Sequence, residues 1–335
     1  MLKVLRSVFA SLGALLVVVT ACGGEEASVA DGSPLVVVTT NILGDVVEEL
    51  VGDQAAVQVI MPPGADPHVF QASAKQVDQM MKADVLVVNG ANFEEGLIDV
   101  VSSVESDGVV VFEAMSFVQA LEFGSTDHDD HDDHDDHDHS GADPHFFADP
   151  VQMVRVVEGL TDFLIANVSD LDAGLLRTNS DGYVDRLKKL DVEIQGLFEA
   201  IPRSDRTLVT NHQVFSYFAK QYDFAVVGTV IPTSSTTDSV NAKDLAELVQ
   251  VIKREKVKAI FADVSGSDSL VEALAAEVGD IQVVDLYSES LGEADSEAAS
   301  YIDMVRTNSK LIVEALSDHD DHDDHDDHDD HDDHD

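Results

Sequence analysis

Cysteine is nearly absent from this chain: Cys22 is the only one in 335 residues, so no disulfide can form within the chain. Basic residues are scarce too, 19 Lys and Arg against 66 Asp and Glu, for a formal net charge of −47. Two Asp/His tracts hold 20 of the aspartates; without them 46 acidic residues face 19 basic ones, still about −27. Such a balance argues against nucleic acid and anionic membrane surfaces as partners, and it keeps a chain soluble in a cation-rich setting. No His-Glu-x-x-His sequence occurs, so the helical metallohydrolase signature is missing. The length allows one large domain or two medium ones.

The amino terminus reads as a targeting segment. Lys3 and Arg6 give it a positive start, and Val8 to Val19 form an apolar run shorter than a membrane span. Cys22 follows directly, in Val19-Thr20-Ala21-Cys22. This resembles the lipobox of bacterial lipoproteins, which implies a signal peptide over residues 1–21 and lipidation at Cys22. The alternative is an ordinary secretory signal with an incidental cysteine. Residues 22–34 carry no apolar periodicity and read as a flexible tether.

From Leu35 onward, short β-branched runs alternate with amphipathic stretches. Strands are expected at Leu35–Thr40, Ala56–Ile60, Asp84–Val88 and Val109–Phe112, with helices at Leu43–Val51, Ala72–Lys82 and Phe93–Val104. The alternation returns after Pro202, with strands at Thr207–Val209, Ala225–Val230, Val257–Phe261 and Ile281–Val284. Helices are expected there at Val214–Gln221, Ala242–Arg254, Ser267–Glu277 and Ser296–Leu316. Such βα alternation predicts an α/β protein with parallel sheets, four strands in each half. Between the halves, Val151–Val168 reads as one helix. Tyr183, Leu187, Leu190, Ile194, Leu197 and Ile201 then mark one face of a second, running from about residue 174 and ended by Pro202. The expected organisation is an N-terminal lobe over residues 35–150, with a disordered Asp/His loop at 125–141. A helical linker at 151–203, a C-terminal lobe at 204–317 and a disordered Asp/His tail at 318–335 follow.

Eleven of the fourteen histidines lie in the two tracts, which leaves His68, His145 and His212. Neutral imidazole is a preferred ligand for zinc and its neighbours. Two of the three stand in the same tripeptide, Asp66-Pro67-His68 and Asp143-Pro144-His145, and the third in Asn211-His212-Gln213. Each follows a strand, and in open α/β sheets ligands bind beyond the carboxyl ends of strands. A single loop histidine is more often a surface residue or a local hydrogen-bond partner. Three in equivalent places point to a metal site in a cleft between lobes. Asp66 and Asp143 are expected to cap or support the site and not to ligate. A closed zinc site takes four protein ligands. Glu289, after the last strand, is the first choice for the fourth and Asp263 the second; either could instead cap a helix.

The segments Thr40-Asn41-Ile42, Met61–Phe70 (MPPGADPHVF), Asn89-Gly90, Asp143-Pro144-His145, Asn211-His212 with Phe215–Phe218, Tyr287–Gly292 and Tyr301–Met304 carry a family resemblance. Together they make the chain similar to the metal-binding lipoproteins that deliver zinc or manganese to bacterial ABC importers. The resemblance implies two lobes, each with a four-stranded parallel sheet, joined by a long rigid linking helix, with the metal site in the cleft. It puts His68, His145 and His212 on ligand positions. Glu289 falls on the fourth, where the family usually carries Asp, and Asp263 falls where the family often has a Glu that does not usually bind the metal.

Three histidines and one carboxylate resemble the zinc-binding members, while manganese-binding members tend to have two histidines and two carboxylates. The cargo expected is therefore Zn2+, with Mn2+ as the alternative. The resemblance also implies an ABC importer permease as partner, an extracytoplasmic protein anchored to the membrane through lipid on Cys22, and a monomer. His128, His131, His134, His137 and His139, in the first tract, are expected to collect zinc at low affinity near the cleft. Competing readings are a surface metal buffer or adhesin without a transporter, and a zinc hydrolase with Glu289 as general base.

Overall fold

A computed structural model of the chain describes residues 32–122, 141–233, 235–237, 240–266, 269–279 and 281–317. The expected signal peptide, Cys22, the Asp127–His139 tract and the 318–335 tail lie outside the described residues. The first half contains strands β1 (Leu35–Val38), β2 (Ala56–Val59), β3 (Val85–Val88) and β4 (Val110–Glu113), with helices α1 (Asn41–Val51), α2 (Ala74–Met80) and α3 (Ile98–Ser106) between them. Helices α4 (Pro150–Asn167) and α5 (Ala173–Phe198) follow. The second half has β5 (Thr207–Thr210), α6 (Ser216–Tyr222), β6 (Ala225–Thr229), α7 (Ala242–Glu255), β7 (Ala259–Asp263), α8 (Ser269–Val278), β8 (Gln282–Leu286) and α9 (Tyr301–Leu316). Both sheets are parallel and share one order, β2-β1-β3-β4 and β6-β5-β7-β8. The two halves, each with the four strands expected, thus share one topology.

Each sheet is covered on both faces, which is why the central strands of the first, β1 (LVVV) and β3 (VLVV), read as unbroken apolar runs. On β1, Val36 and Val38 face the central core while Val37 faces an outer layer with Leu86, Met80, Leu97 and Val104. The second sheet repeats this, with Val209 and Ile260 packed outward on Leu248, Ile252, Val271 and Leu274. The central core is continuous between the halves, from Val85 and Val87 through Leu187 and Ile194 to Phe261 and Leu286. Helix α5 carries it. Its 26 residues span about 39 Å at 1.5 Å per residue, with Asp172 capping the start through Gly174 N and Leu175 N. Near its first turns Asn179 Nδ2 donates to Leu50 O of α1 (3.0 Å), and further along Glu193 accepts from Arg306 Nε of α9 (2.9 Å). One helix therefore braces both lobes.

Two helix starts lie five residues later than the sequence expectation, at Ile98 and Tyr301. Residues Phe93 to Leu97 are not α-helical; a 3-10 turn, Glu95–Leu97, precedes α3. The cause is Glu94, whose buried carboxylate accepts from Thr39 Oγ1 (2.5 Å), Asn89 N (2.7 Å) and Gly90 N (3.3 Å). It winds the chain back on itself and holds Ala91 and Asn92 at positive φ. Helix α9 begins at Tyr301 and not Ser296, because Ser300 is the residue that caps it, its Oγ accepting from Asp303 N (3.2 Å).

Candidate metal centre

The site forms where strand ends of the two sheets face each other. After β2 the chain stays on the ladder through Ile60 N to Val38 O (2.9 Å) and Met61 N to Thr39 O (3.0 Å), then turns at Pro62–Gly64. Asp66 Oδ1 accepts from His68 N (2.9 Å), an i to i+2 turn that fixes the backbone bearing the imidazole. The second tripeptide uses the same device: Asp143 Oδ1 accepts from His145 N (3.0 Å). It begins just past an antiparallel bridge between Glu122 and Ala142. Tyr217 of α6 reaches across from the second lobe, its hydroxyl donating to Asp143 O (2.9 Å). His212 follows β5 directly and its carbonyl accepts from Thr210 Oγ1 (2.7 Å). Glu289 follows β8, after Tyr287 has been pinned by Asn308 through both its N–H (2.9 Å) and its carbonyl (2.8 Å).

All three imidazoles turn Nε2 to the same atom. Glu289 Oε1 lies 2.9 Å from His68 Nε2, 3.2 Å from His145 Nε2 and 3.0 Å from His212 Nε2. Each of the four residues can offer one ligand atom within 4.8 Å of all the others, and all four residues are buried. Zinc bonds of about 2.0–2.1 Å in a tetrahedron imply ligand-to-ligand edges of roughly 3.3–3.4 Å, so the carboxylate stands near the distance a shared ion would set. A bare Nε2 lone pair facing a carboxylate oxygen repels it; protons must occupy the space that a cation would otherwise fill. Phe93 backs the arrangement, its ring edge-on to His68 (5.5 Å) and to His145 (5.6 Å).

Behind the imidazoles the support is unequal. His145 Nδ1 meets Asp143 Oδ1 (2.8 Å), which orients the ring and raises its basicity. His68 Nδ1 meets Glu95 Oε1 (3.1 Å), although Asp66 stands in the equivalent tripeptide. Asp66 instead accepts from Thr236 Oγ1 of the second lobe (2.6 Å) through Oδ2. His212 Nδ1 has no partner among the described residues. Asp263 is not one of the four clustered groups: its Oδ1 is taken by Ser265, accepting from the backbone N (2.6 Å) and from the hydroxyl. Burial first, and then the nearby Glu289 charge, push its carboxyl up to about 6.

A cross-lobe knot lies beside Glu289. Asn41 Nδ2 donates to Ser290 Oγ (2.9 Å) and to Pro62 O (3.2 Å), while its Oδ1 accepts from Leu291 N (2.8 Å). Gly64 N adds a bond to Ser290 Oγ (2.8 Å). The loops bearing His68 and Glu289 are thereby tied to each other. Asn41, Glu94, Glu95 and Phe93 were not singled out as site residues by sequence reasoning. Only Asn41 left a trace there, as part of Thr40-Asn41-Ile42. The residues of the first tract and Cys22 lie outside the described residues.

Comparison with known proteins agrees with this architecture. The chain is 30% identical over 318 residues to the zinc-binding protein TroA of Treponema pallidum, covering 92% of this chain and 96% of that protein. It is 27% identical over 305 residues to the manganese-binding lipoprotein MntA of Halalkalibacterium halodurans, covering 90% and 96%. The solved structure of the periplasmic zinc-binding protein TroA from Treponema pallidum superposes with a TM-score of 0.77 at 27% identity, over 86% of this chain and 100% of that one. A family model described as zinc-uptake complex component A, periplasmic, matches residues 36–315, and the chain belongs to that family.

Proposed function

We propose that this protein captures Zn2+ outside the cytoplasm with His68, His145, His212 and Glu289 and delivers it to the permease of an ABC importer. The observation that carries the reading is the meeting of three buried Nε2 atoms at Glu289 Oε1. Three imidazoles with one carboxylate suit zinc, whereas manganese favours a larger share of oxygen donors. Manganese is the second reading, favoured by the relative named for it. Four protein ligands close a tetrahedral site and leave no position for a reactive water, which argues against a hydrolase. Lipidation at Cys22, removal of residues 1–21 and the tether at 22–34 supply the membrane anchor in this reading. The lobes at 35–150 and 204–317, linked by 151–203, supply the cleft. His128, His131, His134, His137 and His139 serve as weaker collectors.

Elemental analysis of the purified chain tests it, alongside His212→Ala and a variant lacking both tracts. The tract-free variant is expected to retain one tight zinc and His212→Ala to lose it. A tract-free variant without tight zinc would refute the reading. Competition with Mn2+ decides between the two metals.

A further inference from the structure

The four proposed ligands are sealed from water. Side chains of His145, His212 and Glu289 expose 0% of their surface and that of His68 exposes 2%. An ion held among them must cross protein to enter or leave. The groups behind the three rings indicate where. Asp143, behind His145, is 1% exposed, and nothing among the described residues partners His212 Nδ1. Among the described residues, only His68 is backed by a carboxylate that reaches solvent: Glu95, 3.1 Å away, with 34% of its side chain exposed.

Glu95 is held in that place by its surroundings. It opens the 3-10 turn Glu95–Leu97, directly after the anchored Glu94. That turn is pressed onto the His68 loop, since a Cβ at Gly96 would stand 2.1 Å from the Phe70 carbonyl oxygen. Phe70 N in turn donates to Asp66 O (3.1 Å), so the two segments form one rim of the first lobe. The result is a chain of polar atoms from solvent through Glu95 and His68 to the shared centre.

We propose that Glu95 is the entry and exit residue of this metal site. This rests on the metal-binding reading above. Its carboxylate replaces water on the hydrated cation at the rim and passes the ion to the His68 imidazole. While the ion sits on Glu95, the bond from His68 Nδ1 is released and the ring is free to turn outward. Once Nε2 has taken the ion inward, Glu95 accepts the Nδ1 hydrogen again and locks the ring. The cation stays divalent throughout; only ligands and water exchange. Release runs the same steps backwards. A residue that lowers the barrier between rim and centre changes both rates and leaves the equilibrium nearly untouched.

The test uses the full chain with less than one equivalent of Zn2+, so that the tight site fills first. Association and dissociation rates are followed by stopped flow against a chromophoric chelator, with Kd measured separately. Glu95→Gln keeps an oxygen that accepts from His68 Nδ1 and removes the charge. Both rates are expected to fall about tenfold or more in this variant, with Kd nearly unchanged. Wild-type rates in Glu95→Gln, with weakened binding confined to Glu95→Ala, would make Glu95 a mere orienter of His68 and overturn the proposal. A wild-type chain with no tight zinc would overturn the metal-binding reading and this one with it. That outcome is distinct from tight binding with unaltered exchange.

Discussion

Zinc binding should expel protons, and the structure sets how many and at what cost. Burial alone lowers the pKa of His145, but hydrogen bonds to Asp143 and Glu289 outweigh it and push the imidazole up to about 9. His68 is raised in the same way, burial opposing and the bond to Glu289 prevailing. Glu289 is held well below the usual carboxylate range despite its burial, by the charge of His212 and by hydrogen bonds from all three rings. At pH 7 His145 is protonated in the ion-free protein, and zinc requires a bare nitrogen. Removing that proton two pH units below its pKa costs about 2.7 kcal/mol, a factor of about 100 in Kd. Affinity should therefore rise about tenfold per pH unit from 7 towards 9 and then level off. His68, raised above its ordinary value by the bond to Glu289, should add to the protons released.

The stability of the ion-free chain should run the other way. A histidine raised above its unfolded value of 6.5 contributes stability that is complete below pH 6.5 and is lost as pH rises through about 9. The interval is worth about 3 kcal/mol. Stabilisation by zinc should thus grow between pH 6 and 9. Titration calorimetry with substoichiometric zinc, in buffers of different ionisation enthalpy, counts the protons; at least one per zinc is expected at pH 7. Flat affinity over pH 6–9 with no buffer-dependent heat would refute the reasoning.

Three further outcomes follow from particular contacts. Asn41→Ala removes the bonds to Ser290, Pro62 and Leu291, and the loss of about 1–3 kcal/mol should appear as faster zinc dissociation in a chelator chase. Leu187→Ala empties a wholly buried position on the bracing helix and should cost about 2–5 kcal/mol in urea unfolding. A single transition is expected, because the core is shared by both lobes. Deleting residues 127–139 should lower the zinc bound at saturation while leaving the tight site filled, as read by equilibrium dialysis and elemental analysis. Unchanged stoichiometry would show that the tract collects nothing.

Much of the framework was legible because it is local. Runs such as Val85-Leu86-Val87-Val88 declare a strand covered on both faces, and the apolar stripe from Tyr183 to Ile194 declares a long helix. The two Asp-Pro-His tripeptides and Asn211-His212 marked three candidate ligands from their places after strands. What misled was equally physical: Phe93 and Glu94 fit a helical pattern, but Thr39, a residue 55 positions from Glu94, supplies the hydrogen bond that unwinds them. Nothing in Glu94-Glu95 distinguishes a buried anchor from a carboxylate at the rim.

Sequence alone therefore determined which residue types are present and on which side of each sheet they emerge, since strand and helix periodicity depend on neighbours a few positions away. Tertiary structure decided everything that depends on distance between lobes. It brought Glu289 Oε1 to His68 Nε2 across 221 residues, and it left Asp263 turned to Ser265. It gave identical tripeptides different work, with Asp143 holding His145 and Asp66 bonding Thr236 while Glu95 took His68. Hydrogen bonds act over about 3 Å, and only the packed core along α5 fixes which groups come that close.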